Sequence, residues 1–183
     1  MTYYNCFTHH LYLSLFANIK VAFTKDKQYL QKMKQGDKIP EILGNDQDGK
    51  ELKASDFTGK KLVLYFYPKD STPGCTAEAC SLRDNYTELL DRGYAVVGVS
   101  CDSAASHKRF IDKNTLPFSL ISDPDHKLAE EMGVWGEKSM CGRKYFGILR
   151  TTFLVDESGI IERIYGPKEV KTKIHADQIL GKI

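Results

Sequence analysis

The chemistry in this chain is concentrated in one short stretch, Pro68-Lys-Asp-Ser-Thr-Pro-Gly-Cys75. It lies between a dense apolar run and a stretch of helix formers, and it reads as a helix start. Thr72 is a good N-cap, and Pro73 suits the first helical position, where its missing N–H costs nothing. Gly74 leaves space beside the backbone, and Cys75 falls in the first turn. There the partial positive charge of the helix end favours a thiolate over a thiol. At an unperturbed pKa of ~8.5 about 3% of a thiol is ionised at pH 7, and at ~6.5 about 75%. A helix end supplies only part of such a shift, so a nearby cation is needed. Arg150, immediately ahead of the TTFLV run, is the candidate. Spacing alone leaves a second reading open, since free cysteines at ordinary strand–loop–helix junctions are commonly buried and inert.

Elements must exist to bring these residues together. Residues 61–67 (KLVLYFY) read as a central strand that Pro68 stops. A helix is expected from Pro73 to about Arg92, with Ala77, Leu82, Leu89 and Leu90 on its buried face. Residues 94–100 (YAVVGVS) form a second core strand. Residues 103–114 read as helical, 118–121 as extended and 125–132 as helical again. Strands at 151–155 and 160–165 are joined around Asp156 and Gly159, a hairpin signal. Residues 171–180 form a closing helix. Asp48-Gly49, between short apolar segments of residues 36–57, predicts a small N-terminal hairpin. Alternation early and antiparallel pairing late indicate an α/β fold, a mixed central sheet with helices on both faces. That order fits a thioredoxin-like fold, with other α/β sandwiches still open.

The 183 residues suit one well-buried domain. Hydrophobic residues make up 42% and charged residues 27%, and 26 basic side chains nearly balance 24 acidic ones. No basic block stands out to neutralise a row of phosphates, so nucleic acid is not the expected partner. The five cysteines (Cys6, Cys75, Cys80, Cys101, Cys141) are too few and too irregular for a disulfide scaffold. No CxxC pair or His/Cys ladder suggests structural zinc, and the five histidines form no ligand spacing. Residues 1–32 are set apart as an N-terminal extension ahead of a domain at 33–183. Their apolar part, residues 11–23, contains Asn18 and Lys20 and is too short and polar to span a bilayer. A translation start set too early, with Met33 as the alternative first residue, is the expectation. A targeting peptide or a docking helix is the alternative.

Residue identity goes further than spacing. Pro68, Thr72 and Cys75 match the Pro-x-x-x-Thr/Ser-x-x-Cys signature, and the chain resembles the peroxiredoxins. STPGCTAEACSLRD, with Cys80 five residues after Cys75, is similar to the bacterioferritin-comigratory (peroxiredoxin Q) subfamily. FYPKD, GVWGEK at 133–138 and Arg150-Thr-Thr-Phe-Leu-Val are further matches, and the resemblance runs from about Met33 to the C-terminus. It implies a peroxidase using thiol chemistry alone, without metal, haem or flavin. Hydrogen peroxide and organic hydroperoxides would be its substrates and thioredoxin its electron donor. Cys75 would attack the terminal peroxide oxygen and become a sulfenic acid. Thr72 would hold thiolate and peroxide through its hydroxyl, and the Gly74 and Cys75 N–H groups would donate to the peroxide. Arg150 would lower the thiol pKa and stabilise charge as the O–O bond stretches. Pro68 would shield the site from water. The resemblance also suggests a monomer or weak homodimer, and a cytoplasmic, membrane-free location is expected.

Cys80 is implied as the resolving partner. On one continuous helix, five residues place the two Cα atoms roughly 8.6 Å apart, whereas a disulfide needs them within about 7 Å. Bonding therefore requires the first turns to unwind. The alternative is a small buried residue at Cys80, with an external thiol resolving Cys75. Glu78 either orients Arg150 or is an exposed helix residue. Cys101 and Cys141 read as packing or incidental residues, and Trp135 as packing near the site or at a core edge. Two other functions stay open. One is a protein thiol–disulfide oxidoreductase, against which Thr72 occupies the position of the usual first active cysteine. The other is a redox-responsive binding or chaperone module without turnover.

Overall fold

The computed structural model describes residues 33–140 and 142–183; the N-terminal extension and Cys141 lie outside the described residues. Strand β3 (Lys61–Phe66) is the organising element, since its side chains alternate between two cores. Leu62, Leu64 and Phe66 point into one cluster, while Val63, Tyr65 and the following Tyr67 point into the other. Both faces are dry, which is why this segment reads as a continuous apolar run. β3 pairs in parallel with β4 (Tyr94–Ser100) and antiparallel with β8 (Thr151–Val155). β5 (Ser119–Ser122) joins β4 in parallel, and β9 (Ile161–Tyr165) closes the far edge against β8. The N-terminal hairpin of β1 (Ile42–Asp46) and β2 (Glu51–Lys53) completes a seven-stranded mixed sheet in the order β2-β1-β5-β4-β3-β8-β9. Gly98 lies opposite Tyr65. A Cβ there would stand 2.7 Å from that ring, so only glycine lets the tyrosine lie flat on β4.

One face carries α1 (Pro73–Asp84), α2 (Tyr86–Asp91), α3 (Ala104–Asn114) and α5 (His175–Ile179). Their Cys75, Ala79, Leu82, Leu89, Phe110 and Ala176 pack on Val63 and Tyr65. α4 (Lys127–Glu131) covers the other face through Leu128 and Ala129, together with Leu43 and Leu52 of the N-terminal hairpin. No helix among the described residues is long and apolar enough to cross a membrane.

Three local expectations are corrected. The helix expected from Pro73 to Arg92 breaks at Asn85, whose side-chain amide donates to the Ser81 carbonyl at 3.0 Å. Such local bonds compete with the helical ladder. Its buried face runs through Cys75, Glu78, Ala79, Leu82 and Leu89, while Ala77 is half-buried and Leu90 is 49% exposed. The closing helix shortens to α5, entered through a 3₁₀ turn at Thr172–Ile174. A separate ribbon of β6 (Trp135–Met140) and β7 (Arg143–Ile148) stands outside the main sheet. Nothing in its alternation predicted it, because most of β7 faces solvent and no core selects every second residue.

His175 of α5 is fully buried against β8. The Gln178 amide oxygen, 3.2 Å from Nδ1, only accepts, so Nδ1 carries the hydrogen and Thr152 donates to Nε2 at 2.8 Å. Burial pushes this imidazole down to about 4. A histidine whose folded value is depressed contributes stability above its ordinary 6.5 and loses it as pH falls through about 4. That contribution is at most about 3 kcal/mol. Urea melts at pH 6.5 and 4 should show a smaller acid loss in His175→Gln than in the parent; equal losses would place the acid sensitivity elsewhere.

Candidate active site

Four segments meet at the C-terminal end of β3. The chain leaves the sheet after the Tyr67 N–H donates to Val99 O at 3.1 Å, and turns through residues 68–72 into α1. Pro68 is half-buried at that exit. Ser71 takes φ +57°, the left-handed region, which costs a non-glycine residue roughly 1–2 kcal/mol. Thr72 has extended N-cap dihedrals, and its carbonyl accepts the first helical bond from Thr76 N at 2.8 Å. The expected side-chain cap is absent: the Thr72 hydroxyl donates to Lys69 O at 3.1 Å instead. That leaves the hydroxyl's lone pairs as acceptors. Pro73 occupies the first turn as expected, and Cys75 follows at 1% exposure.

Arg150 reaches the thiol because of strand register. Phe66 pairs with Thr151, so residue 150 stands just past the end of β3, beside the start of α1. Its Nη2 donates to Cys75 Sγ at 3.2 Å, and its Nη1 pairs with Glu78 Oε2. Gly74 lies beside this approach, where a Cβ would stand 3.4 Å from Nη2, an ordinary contact distance. Glu78, one turn after Cys75, is fully buried and in contact with Arg150. Burial pushes its carboxyl up to about 7 against the pull of Arg150, and its Oε1 has no hydrogen-bond partner. Partial burial works against the Arg150 charge, but Glu78 and the Cys75 sulfur outweigh it and raise the guanidinium above its ordinary value. A cation held on two anchors thus faces the sulfur.

Cys80 lies on the same continuous α1, half-buried, and both thiols are free. The helix thus presents the geometry that requires unwinding before the two sulfurs meet. Cys101 packs at the edge of the other core, and burial with the nearby Asp123 and Asp102 pushes its thiol up to about 11. Trp135 packs at that same core edge and stacks on His126 with centroids 4.2 Å apart.

Two features escaped the sequence reading. Lys138 of β6 donates to Ile148 O at 3.0 Å; burial and the Arg150 charge hold its ammonium below the ordinary range, so the ribbon flanks the site. Behind the loop lies a buried cluster around Asp70 and His107. Asp70 sat in plain view in FYPKD, but nothing in the spacing of His107 linked the two.

Comparison with known proteins identifies a family and a shared fold. Residues 35–164 match the AhpC/TSA family model. Peroxiredoxin Bcp of Escherichia coli (strain K12) is 46% identical over 149 residues, covering 81% of this chain and 94% of that protein. Peroxiredoxin Bcp of Bacillus subtilis (strain 168) is 43% identical over 145 residues, covering 79% and 91%. Among solved structures, PrxQ of Xylella fastidiosa superposes with a TM-score of 0.75 at 34% identity, covering 83% of this chain and 96% of that one. The bacterioferritin comigratory protein of Xanthomonas campestris, studied for its alkyl peroxide reduction activity, gives a TM-score of 0.70 at 35% identity, covering 80% and 96%. The mixed sheet flanked by helices is the thioredoxin-like arrangement of these structures.

Proposed function

This chain belongs to the AhpC/TSA family, and from that membership we propose that it is a thiol peroxidase with Cys75 as the nucleophile. The observation that carries the assignment is the Arg150 guanidinium, donating to Cys75 Sγ at 3.2 Å beside the N-terminus of α1. The Cys75 thiolate attacks the terminal oxygen of a hydroperoxide. The S–O bond forms as the O–O bond breaks, the leaving oxygen takes a proton to become water or an alcohol, and Cys75 is left as a sulfenic acid. Arg150 faces the oxygens on which charge grows, an interaction stronger in the transition state than before it. Thr72 offers its lone pairs to the peroxide hydrogen, the Gly74 and Cys75 N–H groups point from the helix start, and Pro68 covers the sulfur from solvent.

The Cys80 thiol then displaces hydroxide from the Cys75 sulfenic acid, releasing water and forming the 75–80 disulfide. A dithiol reductant of the thioredoxin kind takes over that disulfide and returns both thiols. α1 must unwind for the middle step, so oxidation and local unfolding are coupled and the reductant meets a rearranged surface. Reduction of the 75–80 disulfide by a dithiol reductant suits a reducing compartment such as the cytoplasm.

Mass spectrometry after one equivalent of hydrogen peroxide tests this scheme. Wild type should yield a 75–80 disulfide, and Cys80→Ser a sulfenic acid on Cys75. Sulfenic acid in both proteins would keep the peroxidase and demote Cys80. An unreacted Cys75 would sink the assignment.

A further inference from the structure

The loop between β3 and α1 is fastened from behind by groups that no chemical step above uses. Asp70 accepts from the Tyr67 hydroxyl at 2.7 Å on Oδ1 and from Ser106 Oγ at 2.7 Å on Oδ2. His107 Nδ1 stands 3.0 Å from the same Oδ2. The Asp70 N–H donates to Asp102 Oδ2 at 2.8 Å, an oxygen that also accepts from Ser100 Oγ at 2.8 Å. His107 is fully buried, and its Nε2 lies 3.1 Å from Ile121 O.

These contacts fix where the protons are. A carbonyl oxygen only accepts, so Nε2 carries a hydrogen. Tyr67 and Ser106 already donate to the Asp70 carboxyl, so a further proton lies on the line between Nδ1 and Oδ2. Wherever it sits on that line, the His–Asp pair is neutral as a unit. A site closed to water accepts such a pair and resists an isolated charge. Asp70 and His107 together tie the loop to the turn after β4, through the Asp70 N–H and Asp102, to α3 through Ser106 and His107, and to β5 through Ile121.

Next to Asp70 stands Ser71 in its left-handed conformation. Without restraint it would relax to negative φ, and Thr72 would turn with it. On the other side, the bond from Thr76 N to Thr72 O holds only the helix start. We infer that the buried Asp70–His107 pair is a positioning element for peroxide reduction, which holds Ser71 left-handed and so aims the Thr72 hydroxyl at the peroxide. Strained residues persist where their surroundings over-determine them, and Asp70 supplies that surrounding here. The inference rests on the thiol peroxidase reading. Cys75, Arg150 and Glu78 are held separately by α1 and the start of β8, so the lock sets the geometry around the peroxide and not the reactivity of the bare sulfur.

The test compares two reactions of Cys75 in folded protein at 25 °C. One is stopped-flow oxidation by hydrogen peroxide, and the other is alkylation by iodoacetamide, which needs no peroxide geometry. In His107→Gln the peroxide rate constant should fall about tenfold, while alkylation changes by less than about twofold. Adding Ser71→Gly to that variant should restore at least about threefold of the loss, since glycine adopts φ +57° freely. Should His107→Gln not fold, Tyr67→Phe removes one donor from Asp70 and keeps the ring; about threefold on peroxide alone is then expected. A peroxide rate that does not move, or one that falls in step with alkylation, overturns the inference, as does an absence of rescue by glycine. Wild type that consumes no peroxide would overturn the peroxidase reading and this inference with it. An active wild type with an unaffected variant overturns this inference alone.

Discussion

Cys75→Ser should lose peroxide consumption by at least about a thousandfold while keeping its fold. Serine presents an alcohol, which ionises far less readily than a thiol, and oxygen is the poorer nucleophile toward a peroxide bond. The site itself is kept. Cys75 is 1% exposed with Arg150 Nη2 as its hydrogen-bond donor, and a serine oxygen accepts that same bond. The stability change should therefore stay within about 1 kcal/mol. A coupled peroxide assay beside a thermal melt checks both halves. Activity surviving at the parent level would move the nucleophile to another thiol. Cys101 is poorly suited to take it over, since burial and two nearby carboxylates push its thiol up to about 11.

The second large effect belongs to Arg150. Arg150→Met should lower the rate constant with hydrogen peroxide by roughly a hundred- to a thousandfold, the scale for losing one preorganised donor at a developing charge. Arg150→Lys should recover only part, because one ammonium cannot hold Cys75 Sγ and Glu78 together as the two Nη groups do. The methionine variant should also change how stability depends on pH. Folding raises the Glu78 carboxyl from its ordinary 4.5 to about 7 because burial disfavours its charge. The folded chain thus holds that proton more tightly than the unfolded one. The stability tied to it is full below about 4.5 and is lost as pH rises through 7. Without Arg150 the buried carboxylate loses its counter-charge, and that loss should steepen. Urea melts at pH 5 and pH 8 measure it. A variant equally destabilised at both pH values would show that Glu78 does not depend on Arg150 for its charge.

Much of this protein could be read without coordinates, because the readable parts are local or periodic. β3 and β4 were legible as strands since a strand buried on both faces needs an unbroken apolar run. The helix start at residues 72–75 was legible because N-terminal positions select threonine, proline and glycine for reasons internal to one turn. Arg150 was legible as a cation at the head of a strand. Its meeting with Cys75 follows from the antiparallel β3–β8 register, which fixes that residue's place at the end of β3.

What the chain order could not decide was how distant polar groups pair once water is removed. Glu78 reads equally well as a partner of Arg150 or as an exposed helix carboxylate, and only the fold buries it beside Arg150 and raises its proton affinity. Asp70 and His107 are far apart in sequence, and their pairing depends on α3 lying behind the loop at a particular rotation. The Thr72 hydroxyl could have served the helix or the loop, and the loop's turn sent it to Lys69. Sequence alone marked Cys75 as the candidate nucleophile, together with the strands that flank its loop and the helix start in which it sits, since local sterics and periodic burial act on neighbours. Tertiary structure alone decided which charges are paired and which hydroxyls are aimed. Those energies depend on desolvation and on distances of a few ångströms between segments that the chain brings together only by folding.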